Sequence, residues 1–284
     1  MQRLLVLLVA LVAACGAPAP ACTINVPKPA DPQPFLWRVT KDNVVVWLYG
    51  TIHNGGSDDV PQAAWTALAS SPQFASELGN NEPDPARVAK LIRIESGKTL
   101  DFLLTEDDWY ELRDVMRGTV KEDDLKRFRP WYAMIRLTQK IAPPPATSMD
   151  RALADRAKKA GKPVAALEQF HEQLETLANS IGVKDLSDAI HARKKMQCEL
   201  AGMLAFYVTG DAAAMQKWLA MEQGEQLLGD RNKKWLAQIE GYFASGGAFV
   251  AVGLGHLIGG TNLPVLLAEK GYTVERVASS RGSN

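Results

Sequence analysis

The chain has 284 residues, of which 46% are apolar and 23% charged, a composition that excludes the disordered and fibrous classes. Thirty-two Lys and Arg balance 32 Asp and Glu, so no broad positive field exists to hold a polyanion, and no nucleic-acid partner is expected. The length permits one large or two small domains, either able to bury roughly 70–75% of its unfolded surface without staples.

At the amino terminus Arg3 precedes an apolar run from Leu4 to Cys15. A dozen residues are too few for a membrane span of ~20 and suit the ~7–15-residue apolar region of an export signal. The run ends in Val12-Ala13-Ala14-Cys15, which resembles a bacterial lipobox: residues 1–14 would be removed as a signal peptide and Cys15 would carry the lipid. Ala19-Pro20-Ala21 offers an ordinary cleavage site instead. By either route the mature chain is exported, as a periplasmic or outer-membrane lipoprotein or as a secreted product, touching a membrane only through its anchor. Residues 15–34 are rich in Pro and Ala and read as a tether, leaving a single domain over 35–284. Cys22 and Cys198 could pair in an oxidising compartment or stay free, and the sequence leaves both open.

Phe35 to Val39 and Val44 to Tyr49 are β-branched and aromatic runs around Thr40-Lys41-Asp42-Asn43, a hairpin signal. The unbroken apolar character of the second run suits a central strand covered on both faces. Phe74 to Leu78, Pro163 to Leu167, Ala248 to Val252 and Tyr272 to Val277 read as four more strands.

Helical patterns lie between them. Thr105 followed by Glu106, Asp107 and Asp108 is an N-cap with acids at the positive end of a helix, and Lys158-Lys159 before Gly161 and Pro163 is a helix stop. Asp185 to Val208 and Asp211 to Gln223 read as two helices split by Thr209-Gly210, and Asp230 to Ala244 as a third, ended by Gly246-Gly247. The expected fold is α/β, a mixed β-sheet core flanked by helices, with a long helix-rich middle segment from about Asp84 to Gly246.

Two of the four histidines share a setting. Gly50-Thr51-Ile52-His53 follows the strongest strand, and Gly253-Leu254-Gly255-His256 follows Ala248 to Val252. Glycine opens backbone conformations closed to other residues at a strand exit, and strand carboxyl ends are where α/β sheets form ligand crevices. Two neutral imidazoles there suit a transition metal but need a carboxylate beside them. Glu77, near the end of an apolar run where a lone charge is costly, is the candidate. A single strand-end histidine more often only satisfies local hydrogen bonds; the duplicated motif is what raises the pair above that reading.

These residues also carry a resemblance. Leu48-Tyr49-Gly50-Thr51-Ile52-His53 with Ser57-Asp58-Asp59-Val60-Pro61 resembles the opening of the TraB/PrgY/GumN family, and Phe249 to Leu257 resembles its close. Met149-Asp150, Gly161-Lys162-Pro163-Val164 with Leu167-Glu168 and Gln173, and Asp230-Arg231-Asn232 with Trp235 match intermediate landmarks in order. The family shares its two Gly-x-x-His motifs with the Tiki metalloproteases, in a superfamily that includes erythromycin esterase-like and ChaN-like haem-binding proteins. The resemblance implies a divalent metal, manganese or cobalt with zinc also suitable, held by His53, His256 and Glu77. It implies hydrolysis of a peptide or other small substrate, with Glu77 as general base and Arg231 stabilising an oxyanion. Asp150 and Glu168 would orient the ligands. The family usually has a second acid where this chain has Gly79.

Alternatives from other classes are a cell-envelope binding protein for haem, peptide or polysaccharide, and a pseudoenzyme. Arg231 could equally be an exposed helix-start partner of Asp230. His171 and His191 read as solvated surface residues and Trp131 as a core anchor. No phosphate-cradling glycine loop, Cys-x-x-Cys pair or serine nucleophile elbow is present.

Overall fold

In the computed structural model, which describes residues 22–79, 81, 83–95, 97–220 and 225–278, each of the six apolar runs forms a strand. They are β1 (Leu36–Lys41), β2 (Val44–Thr51), β3 (Phe74–Ser76), β4 (Val164–Ala166), β5 (Ala248–Gly253) and β6 (Thr273–Arg276), joined in one sheet in the order β4-β3-β5-β2-β1-β6. The export signal, Cys15 and the end of the helix expected to reach Gln223 lie outside the described residues.

β1 and β2 pair with Lys41 opposite Val44, so the loop is Asp42-Asn43 alone. Both residues adopt positive φ, 49° and 65°, as the twist of a two-residue hairpin demands. β6 adds antiparallel to β1, whereas β2, β5, β3 and β4 run parallel to one another. β2 and β5 are thus the central strands, as their apolar runs require.

Helix α1 (Gln62–Ser70) precedes β3. Between β3 and β4 lie α2 (Pro85–Ile92), α3 (Leu100–Leu103), α4 (Glu106–Met116), α5 (Glu122–Lys126), α6 (Pro130–Ile141) and α7 (Met149–Lys159). Then come α8 (Phe170–Ser180), α9 (Val183–Thr209), α10 (Ala212–Ala220) and α11 (Glu225–Ala244), and after β5 follow α12 (Gly255–Ile258) and α13 (Leu263–Glu269). The helix-rich middle therefore begins at Asp84, whose side chain caps α2. Thr105 caps α4 by accepting from the Asp108 amide. Gly210, at φ 70°, separates α9 from α10 in the left-handed conformation that stops a helix.

Apolar side chains gather in two clusters. One packs both sheet faces with Tyr49, Phe74, Trp235 and Phe249 at its centre; the other lies among α3–α6 around Leu100, Leu112 and Leu137. Helix α9 belongs to both, giving Leu186 and Ile190 to the helical cluster and Met203, Tyr207 and Val208 to the sheet cluster.

The stretch read as a tether is fastened to α9 from Cys22 onward. Cys22 and Cys198 form a disulfide with Cα atoms 5.1 Å apart, Ile24 approaches Gly202, and the Gln33 amide donates to the Val208 carbonyl at 3.0 Å. No helix among the described residues is long and apolar enough to cross a membrane.

Candidate functional site

The parallel half of the sheet decides where the chemistry-bearing residues go. Thr51 lies opposite Gly253, Ser76 opposite Ala251, and Ser76 opposite Ala166, so β2, β5, β3 and β4 end along one edge. The residues just beyond them are His53, the turn to His256, Glu77 and Glu168. Four strand ends thus bring together four positions scattered over more than 200 residues of sequence, in the place where α/β sheets form crevices.

Glu77 is the hub. Its Oε1 accepts from the Gly253 amide at 2.8 Å, and its Oε2 accepts from Arg231 Nη2 at 2.8 Å and Gln173 Nε2 at 2.9 Å. Burial opposes ionisation of Glu77, but the His256 imidazole, the Arg231 guanidinium and the Gly253 amide outweigh it and hold its carboxyl below the usual value. A side chain on Gly253 would crowd that carboxylate, its Cβ falling 3.3 Å from Oε1.

His256 is 2% exposed and lies against Trp235, with ring centroids 4.4 Å apart. Its Nδ1 faces Asn232 Oδ1 at 2.6 Å, and its Nε2 accepts from Arg231 Nη1 at 3.1 Å. Burial pushes the imidazole down to about 4; Glu77 offsets this in part and Arg231 adds to it, leaving the ring neutral at physiological pH.

Arg231 is not a surface partner of Asp230, which pairs instead with Lys233. Helix α11 is already formed at Glu225, before Asp230, so Arg231 lies beyond a first turn, with its side chain 15% exposed. It grips Glu168 through Nε and Nη2, reaches Glu77 and His256 as above, and stacks 4.7 Å from the Trp235 centroid. One Nη1 hydrogen has no partner among the described residues. Burial raises the Glu168 pKa, and Arg231 counteracts it.

Asp150, at the start of α7, accepts from Thr51 Oγ1 at 2.9 Å. Burial raises its pKa, while Thr51 and His53 pull it down and Glu77 pushes it up. Asp150 is thus bonded to the first histidine motif through Thr51 and feels the charge of Glu77. His53 itself is exposed in the turn after β2, anchored by its neighbour Asn54, whose Nδ2 donates to the Leu200 carbonyl at 2.9 Å. Tyr207 Oη donates to the Gly50 carbonyl at 2.5 Å, so α9 clamps this turn twice.

Glu77, Glu168, Arg231 and His256 therefore form one network, to which Asp150 is linked through its charge, while His53 is exposed in the turn after β2 and shares no hydrogen bond with them among the described residues. Among the described residues no three His, Cys, Asp or Glu side chains are arranged as a closed cation cage. The donor chemistry nevertheless suits a divalent cation at one pair: a neutral imidazole nitrogen lies 3.7 Å from an ionised carboxylate oxygen, His256 Nε2 to Glu77 Oε1. Gly79 explains the absent second acid. Its φ is +53°, and a Cβ there would fall 2.5 Å from the Ala165 carbonyl oxygen, so the turn leaves no room for a side chain.

Sequence reasoning passed over three residues with roles here. Gln173 and Asn232 stood only as landmarks, and Tyr207 as a helix residue; nothing local marks a side chain whose partner lies far away in sequence. His171 is half-buried on α8 and His191 exposed on α9, and Trp131 is buried as expected.

The fold is α/β, and Arg231 from α11 meets His256 and Glu77 where parallel strands of the sheet end. The TraB/PrgY/gumN family model matches residues 35–276, and the chain belongs to that family. No curated protein and no solved structure matches it.

Proposed function

We propose that the chain is a metal-dependent, peptidase-like hydrolase working at this strand-end site, with His53, His256 and Glu77 holding a divalent cation, manganese or cobalt with zinc as a further candidate. The observation that carries the reading is the His256–Glu77 pair: a buried, neutral imidazole turns Nε2 towards a carboxylate oxygen 3.7 Å away. A bound cation polarises a scissile carbonyl and lowers the pKa of water from 15.7 towards ~7. The protein's own groups do the rest. Glu77 is kept ionised and able to take a proton, Arg231 has one N–H without a partner among the described residues to meet developing oxyanion charge, and Asp150 and Glu168 orient their neighbours. Exposed His53 marks the side from which a peptide or other small substrate enters. Export by a signal peptide over 1–14, lipidation at Cys15, residence in the periplasm or outer membrane and one domain over 35–284 belong to the same proposal.

A second reading, a cell-envelope binding protein or pseudoenzyme, is favoured by Arg231, which already donates to both His256 Nε2 and Glu77 Oε2. Elemental analysis separates the two. About one equivalent of divalent metal in the wild type, lost in folded His53→Ala and His256→Ala, with peptide hydrolysis restored by that metal, supports the hydrolase. Equal emptiness of all three after reconstitution overturns it, and a Soret band would assign the site to haem.

A further inference from the structure

The second histidine motif is oriented by a side chain to which the proposed reaction gives no part. Asn232, next to Arg231 on α11, is fully buried. Its Nδ2 donates to the Thr261 carbonyl at 2.7 Å and reaches the His256 carbonyl at 3.4 Å. Both of those oxygens only accept, so the amide nitrogen must face them and Oδ1 must face His256 Nδ1, 2.6 Å away. An acceptor at that distance requires the proton on Nδ1. A neutral imidazole carries a single ring proton, so Nε2 is left with its lone pair.

That lone pair lies 3.7 Å from Glu77 Oε1. It also accepts from Arg231 Nη1 at 3.1 Å. A cation held by Nε2 displaces that donor, after which the amide is the remaining side-chain contact that dictates which ring nitrogen is bare. The backbone at Thr261 fixes the Asn232 amide, the amide fixes the imidazole, and the imidazole presents one nitrogen to the site.

We propose that Asn232 is a positioning residue that sets the His256 tautomer in advance, making Nε2 the nitrogen available to a ligand. The use of that nitrogen for a metal rests on the hydrolase reading; the tautomer itself does not. The distinction decides the experiment, because the proton's position is readable before any cation is added. It also separates this role from packing, since an asparagine that only filled space would leave the proton free to sit on either nitrogen.

The test is nitrogen-15 NMR of the full-length, metal-stripped protein with labelled histidine, at one near-neutral pH, followed by titration with Zn²⁺ alone. In the wild type His256 Nδ1 is expected to give the shift of a protonated ring nitrogen and Nε2 that of a bare one, with zinc moving Nε2. In Asn232→Leu the proton is expected to distribute over both nitrogens and zinc binding to weaken by about 10–100-fold. Asn232→Asp keeps an acceptor at Nδ1 and is expected to retain the wild-type tautomer, which preserves the test if the leucine variant does not fold. A wild-type proton on Nε2 overturns the proposal. So does a folded Asn232→Leu with unchanged shifts and zinc affinity, which would assign the tautomer to Arg231, or an Asn232→Asp variant protonated on Nε2. Zinc that leaves a correctly protonated wild-type ring untouched supports the role of Asn232 and overturns the metal reading alone.

Discussion

Arg231 and Glu168 form a two-pronged ion pair inside the protein, Nε to Oε2 at 3.0 Å and Nη2 to Oε1 at 2.5 Å, with side chains 15% and 3% exposed. Taking away one partner strands the other charge in a dry setting. Arg231→Ala is therefore expected to lower stability by about 3–5 kcal/mol, read as a fall in the urea midpoint. Arg231→Lys should recover little, since an ammonium cannot make the paired contact. The double variant Arg231→Met with Glu168→Gln should recover most of the loss, and failure to do so would mean that Arg231 stabilises mainly through Glu77 and His256.

Tyr207 offers a more local probe. Its hydroxyl bonds the Gly50 carbonyl and lies 2.9 Å from the Tyr49 hydroxyl, and both tyrosines are buried. Tyr207→Phe leaves that carbonyl without its side-chain donor and should cost about 1–2 kcal/mol. Amide hydrogen exchange across residues 50–54 is expected to quicken while exchange in α4 and α6 stays at its wild-type rate. Tyr49→Phe should do less, because the bond to Gly50 survives.

A pH effect is expected far from the site. Asp108 on α4 accepts from Ser187 at 2.7 Å and meets His191 Nε2 at 2.7 Å, both on α9. Burial opposes its ionisation, but the bonds from Ser187, Thr105 and His191 outweigh this and depress its pKa. A depressed carboxyl stabilises the fold above the ordinary unfolded value of ~3.9, and that contribution disappears as pH falls through the native value. Asp108→Ala should thus cost about 2 kcal/mol near neutrality, and the gap from wild type should narrow on acidification below about pH 4. A gap independent of pH would show that the carboxylate's charge is irrelevant there.

The Cys22–Cys198 bridge spans 176 residues, and a loop of that size restricts the unfolded chain strongly. Reduction, or Cys22→Ser with Cys198→Ser, is expected to cost about 2–5 kcal/mol, seen as a lower melting temperature under reducing conditions only for the wild type. The proximity of Cys198 to Leu200, which holds Asn54, adds a second expectation: the bridge-less protein should show faster protease cleavage near His53.

Sequence alone revealed those features that depend on neighbouring residues. The six strands could be read because each is a short apolar run bounded by turn formers, and Thr105, Gly161 and Gly210 because capping is chemistry within one turn. The histidine motifs could be read because parallel strands place their exits along one edge. The rest depends on distant partners. Nothing around Asp108 announces Ser187 and His191, 79 and 83 residues away. Arg231 reads as the start of a helix because Asp230 sits before it, whereas α11 is already helical at Glu225. The disulfide needed geometry, and Gly79 needed the nearby Ala165 carbonyl to explain why an acid cannot stand there.

The place of β5 in the sheet has a consequence for how the molecule comes into being. It is the fifth strand in sequence, yet it lies between β2 and β3. Until β5 has been made, the two flanking strands lack the partner that joins them, and His256, just beyond β5, is absent from the edge where Glu77 waits. Such late, long-range pairing is slow to nucleate. Joining the β1–β2 hairpin to β3 and β4 therefore waits on the last third of the chain, and the polar edge is complete only when β5 is in place.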